Sequence, residues 1–221
     1  MKRNTCTLLV FLLLPLLALG VRPAEAQPFA YVTTPEEGSG AVAVVDTATQ
    51  TLVDTIPMTG FPWGIAITPD GTRAYVVRGS ATSVRVIDTA TNMEVTTIPV
   101  GLVPRGVAIT PDGSRAYVAN LGSDSVSVID TATNTVVDTL TGGFNGPFWI
   151  GITPDGSQAY VTNSTDFVTV VDTATNMVVT TISVGSTPYG VAFTPDGSRA
   201  YVVNSFSDSV SVINTATHMV V

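Results

Sequence analysis

The sequence predicts an all-β fold, a β-propeller of four-stranded antiparallel blades, and three observations carry that prediction. The run Thr-Pro-Asp-Gly, followed by a segment containing Ala-Tyr-Val, occurs four times, in stretches that begin at Ile67, Ile109, Ile152 and Phe193. A second run, Asp-Thr-Ala-Thr, opens at Asp46, Asp88, Asp130 and Asp172, with a variant at Asn214, and successive copies lie 42 residues apart. A fixed period of that length marks a repeat array before any local reading is attempted. The segments between these runs are rich in Val, Thr, Ile, Gly and Pro and show no 3.6-residue apolar spacing, which excludes helical repeats. Hydrophobic residues make up 45% of the 221 and charged ones 12%, as expected of sheets buried on both faces. A period this regular makes one continuous array a simpler reading than two domains.

The first segment, residues 1–26, reads as a secretory signal peptide. Lys2 and Arg3 give a basic start, residues 8–19 an apolar stretch, and Ala24-Glu25-Ala26 a small-residue cleavage site. The apolar stretch is shorter than the roughly 20 residues needed to cross a bilayer, so export is favoured over anchoring. Removing it leaves six arginines, no lysine and sixteen acidic residues, a formal charge of −10. Such a surface repels phosphate backbones and anionic lipid, so no nucleic-acid or membrane partner is expected. Cys6 leaves with the segment, and no disulfide or cysteine metal site is expected.

The propeller repeats then fill residues 27–221. The first unit, 27–58, holds strands at 29–33, 41–46 and 51–57 and lacks the Gly-Ile-Ala-Ile segment that opens the next unit at Gly64. Units 59–100, 101–142 and 143–184 are complete. In each, a short apolar strand runs into Thr-Pro-Asp-Gly, where Pro suits the second turn position and Gly tolerates positive φ, and three further strands follow. The last unit, 185–221, stops inside its fourth strand. Four strands per unit of about 42 residues are what a propeller blade needs.

The tetrapeptide Tyr160-Val161-Thr162-Asn163, with Tyr31-Val32-Thr33-Thr34, Tyr117-Val118-Ala119-Asn120 and Tyr201-Val202-Val203-Asn204, resembles the YVTN family of β-propeller repeats. The resemblance covers nearly all of the chain after the signal segment. It implies a ring that is often seven-bladed, among relatives such as archaeal surface-layer proteins and exported bacterial proteins. Related propellers include lactonases and the heavy subunits of some amine dehydrogenases. Five units are visible here, so the chain reads as a fragment of a larger ring, five tightly closed blades, or one of two chains that complete each other.

Candidate functional residues are those that break the repeat. The aspartates opening the second run, and Asp70, Asp112, Asp155 and Asp196 in the turns, recur in every unit and read as folding residues that accept hydrogen bonds from their own turns. His218 is the only histidine and stands where Asn92, Asn134 and Asn176 stand in other units; it offers no catalytic set. The position before each innermost strand instead holds Trp63, Arg105, Phe148 and Tyr189, each after a proline. In a propeller this loop lies where the channel opens, so these groups form a candidate ligand- or partner-binding mouth. Trp149 joins them, because it sits where other units have Gly64, Gly106 and Gly190, in a loop one residue longer than its counterparts. The opposite loops of the same face supply Glu36, Glu37, Arg78, Asp124, Asp166 and Asp208. Paired carboxylates such as Glu36 and Glu37 can take a divalent cation, but adjacent loop acids are usually only solvated. No catalytic residue, metal or cofactor is assigned.

The sequence is therefore read as an exported, non-enzymatic propeller, secreted, periplasmic or at the cell surface. It would act as a binding or scaffold module for a protein, small-molecule or glycan ligand, with self-association if the ring is open. Two alternatives stay open: a lactonase-like hydrolase using a loop-bound divalent metal, and a partner subunit of a periplasmic redox enzyme.

Overall fold

The computed structural model describes residues 29–35 and 40–221. The signal segment with Cys6, and the pair Glu36 and Glu37, lie outside the described residues. Five antiparallel sheets follow one another along the chain, and together they form an arc of propeller blades that does not close into a ring.

Blade one contains β1 (Phe29–Thr34), β2 (Ala41–Asp46) and β3 (Thr51–Pro57). Blade two contains β4 (Pro62–Ile67), β5 (Arg73–Arg78), β6 (Ser83–Asp88) and β7 (Met93–Pro99). Blade three contains β8 (Pro104–Ile109), β9 (Arg115–Asn120), β10 (Ser125–Asp130) and β11 (Thr135–Thr141). Blade four contains β12 (Pro147–Ile152), β13 (Gln158–Asn163), β14 (Phe167–Asp172) and β15 (Met177–Ser183). Blade five contains β16 (Pro188–Phe193), β17 (Arg199–Asn204), β18 (Ser209–Asn214) and the two-residue β19 (Met219–Val220). Every sheet is an up-and-down meander in sequence order, and blade one has three strands where the others have four. A 3-10 turn, Leu121–Ser123, follows β9 and had no counterpart in the sequence reading.

The Thr-Pro-Asp-Gly runs form the hairpins that join first and second strands. In blade three the Gly113 amide donates to the Thr110 carbonyl at 2.8 Å, and Gly113 has φ +74°, a region that glycine enters without strain. Asp112 locks the turn by accepting from the Thr110 hydroxyl and the Ser114 amide. The second run caps the next hairpin in the same way: Asp130 accepts the amides of Ala132 and Thr133.

Both faces of a blade are apolar because alternate residues of one strand pack on different neighbours. On β5, Ala74 and Val76 join Val42, Val44 and Ile56 of blade one. Tyr75 and Val77 join Val107, Ala116 and Val118 of blade three. Four such cores separate the five blades. The first strands of successive blades lie side by side, β4 on β8, β8 on β12 and β12 on β16, so the first strand is the inner edge of each wedge and the last strand the outer edge. On blade five the outward face is uncovered: Tyr201 is 40% exposed, whereas its equivalents Tyr75, Tyr117 and Tyr160 are 0% exposed.

A tyrosine latch ties each of the first three blades to the next. Tyr31, Tyr75 and Tyr117 each donate to an asparagine side chain of the following blade, Asn92, Asn134 and Asn176, at 3.0, 2.6 and 2.8 Å. These asparagines sit at φ +57°, +55° and +58°, left-handed positions that Asn tolerates better than most residues. In the fourth copy His218 replaces the asparagine at φ +57°, and the buried Tyr160 hydroxyl has no hydrogen-bond partner.

Candidate binding face

The inner strands of blades two to five carry an irregularity at the same place. Pairing between first and second strands slips by one residue between Pro62 and Ile65, Pro104 and Val107, Pro147 and Trp149, and Pro188 and Val191. Such a bulge twists a strand and re-aims the side chain it contains. Trp63, Arg105, Phe148 and Tyr189 occupy these four bulges.

The bulges bring the four side chains into one row. The Arg105 guanidinium lies 4.0 Å from the Trp63 ring centroid and 5.8 Å from that of Phe148. Phe148 and Tyr189 follow with ring centroids 4.5 Å apart, tilted by 47°. A cation between aromatic faces is held by their quadrupoles, worth about 0.5–1 kcal/mol at an exposed site and more when desolvated. Burial pulls the Arg105 guanidinium below its ordinary range, and the neighbouring Tyr189 acts in the opposite direction. Its Nε atom is buried without a hydrogen-bond partner.

Backbone proximity sets up this row. A Cβ on Gly64 would lie 2.7 Å from the Arg105 carbonyl, and one on Gly106 would lie 2.9 Å from the Trp149 Cα. Glycine after the bulge therefore lets adjacent inner strands touch through their backbones. Trp63 in turn packs against the next loop, where a Cβ on Gly79 would be 2.9 Å from the indole Cδ1. Two threonines add hydrogen bonds between blades, Thr33 to the Trp63 carbonyl at 2.8 Å and Thr162 to the Tyr189 carbonyl at 3.0 Å.

Comparison with known proteins bears on this architecture. Residues 108–199 match the family described as YNCE-like beta-propeller. No curated protein matches the chain. Among solved structures, hydrazine synthase of Kuenenia stuttgartiensis is 32% identical with a TM-score of 0.69, over 72% of this chain and 47% of that one. The chain thus spans about half the length of that relative. A functionally unknown protein of Desulfotomaculum acetoxidans is 22% identical with a TM-score of 0.71, over 87% of this chain and 70% of that one; this second likeness shows the fold alone. The fold is a β-propeller, and its repeats are consistent with the YVTN type.

Within this propeller the remaining sequence candidates are dispersed. Trp149 makes no ring contact with the row; its amide donates to the Thr162 hydroxyl at 3.0 Å. The longer loop before it is held from blade three, where Asp124 accepts the Gly146 amide at 2.6 Å. Arg78 is engaged by Ser83 and Thr59. Asp166 and Asp208 are exposed. Among the described residues no three His, Cys, Asp or Glu side chains converge to hold a metal ion. His218 contacts the Gln158 side chain at 3.2 Å.

The structure adds residues that the sequence reading did not single out. Phe61, Gly79, Ser80 and Val103 join Trp63 and Arg105 around a cavity of about 330 Å³. Only the position of Phe61, directly before a proline and beside Trp63, was a sequence signal for it. Val103 is a β-branched residue at φ +50°, a conformation that costs of order 1–3 kcal/mol and is retained only when the surroundings fix it. The Leu121 and Gly122 amides fix this loop by donating to the carbonyls of Val103 and Leu102 at 3.1 and 2.9 Å.

Proposed function

We propose that the chain is an exported, non-catalytic propeller that binds a ligand at the inner-strand mouth formed by Trp63, Arg105, Phe148 and Tyr189. The observation that carries this reading is the row itself: four successive blades each place one large aromatic or cationic side chain in a bulge, and the four make contact. Aromatic and arginine side chains are the groups most often used as binding anchors. Tyr189 is 44% exposed, so the row ends in solvent rather than in a core. Export rests on the basic, apolar and small-residue order of residues 1–26, and Edman sequencing of the natural product should begin at Gln27.

The test of the binding role is a thermal-shift screen of a chemically diverse small-molecule collection against the purified chain. Compounds that raise the melting temperature of the native chain and not that of Trp63→Ala or Tyr189→Ala are expected. Compounds that stabilise all three proteins alike, or a screen without any stabilising compound, would reject the mouth as a binding site.

A second reading is favoured by the 32% identity to hydrazine synthase: a propeller subunit within a redox enzyme assembly. Affinity purification of the chain from its native host would then recover a cofactor-bearing chain in fixed stoichiometry. Recovery of the propeller alone would set this reading aside.

A further inference from the structure

We infer that the cavity beside Arg105 is a site for an organic monoanion, a carboxylate carried on a flat apolar body. This deepens the binding role proposed above and rests on it.

The first argument is the state of Arg105. A guanidinium carries five N–H donors in a planar fork that matches a carboxylate. Yet Arg105 makes no hydrogen bond or ion pair with any described residue, and its Nε is buried. Arg115, by comparison, is paired with Asp130, Arg85 with Glu94, and Arg78 is bonded to Ser83 and Thr59. Arg73 also has a buried, unbonded guanidinium nitrogen, but its cavity is lined by the carboxylates of Asp70 and Asp112, whereas no carboxylate lines the cavity beside Arg105. Leaving a half-buried cation without an acceptor is costly, and the stack on Trp63 holds its plane while leaving its edge unbonded.

The second argument is the lining. Of the six residues around the 330 Å³ cavity, Arg105 is the one charged side chain; Phe61, Trp63 and Val103 are apolar, Gly79 offers backbone and Ser80 a hydroxyl. The Ser80 hydroxyl already accepts the Phe61 amide at 3.3 Å and still has a proton to donate. A cavity of this size is at the lower end of small-molecule sites, which are mostly apolar with a few placed polar groups.

The third argument is charge. The whole chain carries a net charge of −8, which repels multiply charged anions. One guanidinium between apolar walls neutralises one negative charge, so a carboxylate fits and the hydrogen phosphate dianion does not, which sets the titration at a pH of about 8, where that dianion predominates.

The experiment uses fluorescence of Trp63. Trp63 and Trp149 are the two tryptophans of the chain, so Trp149→Phe leaves Trp63 as the single indole reporter. The purified Trp149→Phe chain would be titrated with benzoate, with its neutral isostere benzamide, and with inorganic phosphate. Saturable quenching by benzoate is expected, with benzamide at least about tenfold weaker and phosphate without effect. Adding Arg105→Gln should remove the preference for benzoate over benzamide while the far-UV circular dichroism and melting temperature stay within the range of the parent. Equal binding of benzoate and benzamide would overturn the carboxylate assignment but leave the mouth as a binding site. Saturation by phosphate at similar concentrations would overturn the monoanion assignment. Absence of saturable quenching by either benzene derivative would overturn the inference; only a failed screen of the broader collection would also remove the binding role.

Discussion

The Tyr117 hydroxyl donates to the Asn176 side-chain oxygen at 2.8 Å across a blade boundary, 59 residues apart in the chain. Asn176 then donates its amide to Asp138 on the outer strand of Tyr117's own blade at 3.1 Å. One asparagine in a left-handed turn therefore holds both the second and the fourth strand of the preceding blade. Burial pushes the Tyr117 hydroxyl up to about 12, so it is protonated and a donor at neutral pH.

Removing either partner of this latch should destabilise the propeller unequally. Tyr117→Phe removes the hydroxyl that the Asn176 side chain and the Thr173 carbonyl share as acceptors and is expected to cost about 1 kcal/mol. Asn176→Ala leaves the buried Tyr117 hydroxyl with one acceptor fewer and places alanine at φ +58°, which is expected to cost about 2–3 kcal/mol. Urea denaturation at constant m would show both, and a smaller loss for Asn176→Ala than for Tyr117→Phe would argue against the latch.

His218→Asn should repair the fourth latch. The Tyr160 hydroxyl is buried and unbonded, and asparagine suits the left-handed backbone at 218 better than histidine. A gain of about 1 kcal/mol is expected, seen as a rise in urea midpoint for His218→Asn that disappears when Tyr160→Phe is combined with it. An equal gain in both backgrounds would place the effect in the backbone alone.

Two glycines at equivalent positions should respond differently to alanine. A Cβ on Gly106 would lie 2.9 Å from Trp149 Cα and 3.0 Å from the Phe148 carbonyl, whereas one on Gly190 meets nothing within 4 Å. Gly106→Ala is expected to cost about 1–3 kcal/mol by forcing blades three and four apart. Gly190→Ala is expected to stay within about 0.5 kcal/mol or stabilise slightly, since it restricts the unfolded chain. Comparable melting temperatures for the two variants would contradict the close inner-strand contact.

Acid should loosen the hairpins before the cores. Hydrogen bonds from the Thr194 hydroxyl and from Ser198 lower Asp196 from 3.8 to about 2, and Asp70, Asp112 and Asp155 are lowered by the same kind of contacts. A carboxylate depressed in the folded state stabilises fully above its unfolded pKa and loses that contribution as pH falls through the folded value. Stability should therefore be flat above pH of about 5 and fall between about 4 and 2. Asp196→Asn should shrink that fall, and an unchanged acid slope in Asp196→Asn would show that the turn carboxylates do not cause it.

Much of this protein could be read before any coordinates. The repeat and its turns are local: Pro69, Asp70 and Gly71 adopt their conformation from their own side chains and φ preferences, so their appearance in sequence was enough to place hairpins and hence blades. The binding row was half legible. Trp63, Arg105, Phe148 and Tyr189 stood out as large groups at a repeat position otherwise followed by glycine, but Trp149 stood out equally and does not join them.

What the sequence by itself determined is the blade, because turn chemistry and strand alternation act over fewer than about ten residues at a time and the 42-residue period repeats them in phase. What only the tertiary structure decided is what happens between blades: that Arg105 stacks on Trp63, that Tyr117 reaches Asn176, that Tyr160 is left without a partner, and that Phe61, Ser80 and Val103 surround a cavity. Apart from the Phe61–Ser80 bond, which lies within one unit, those contacts join residues of different repeats. Their geometry depends on how far the inner-strand bulges turn each side chain and how closely glycine lets neighbouring backbones approach, and neither quantity is written in any single repeat.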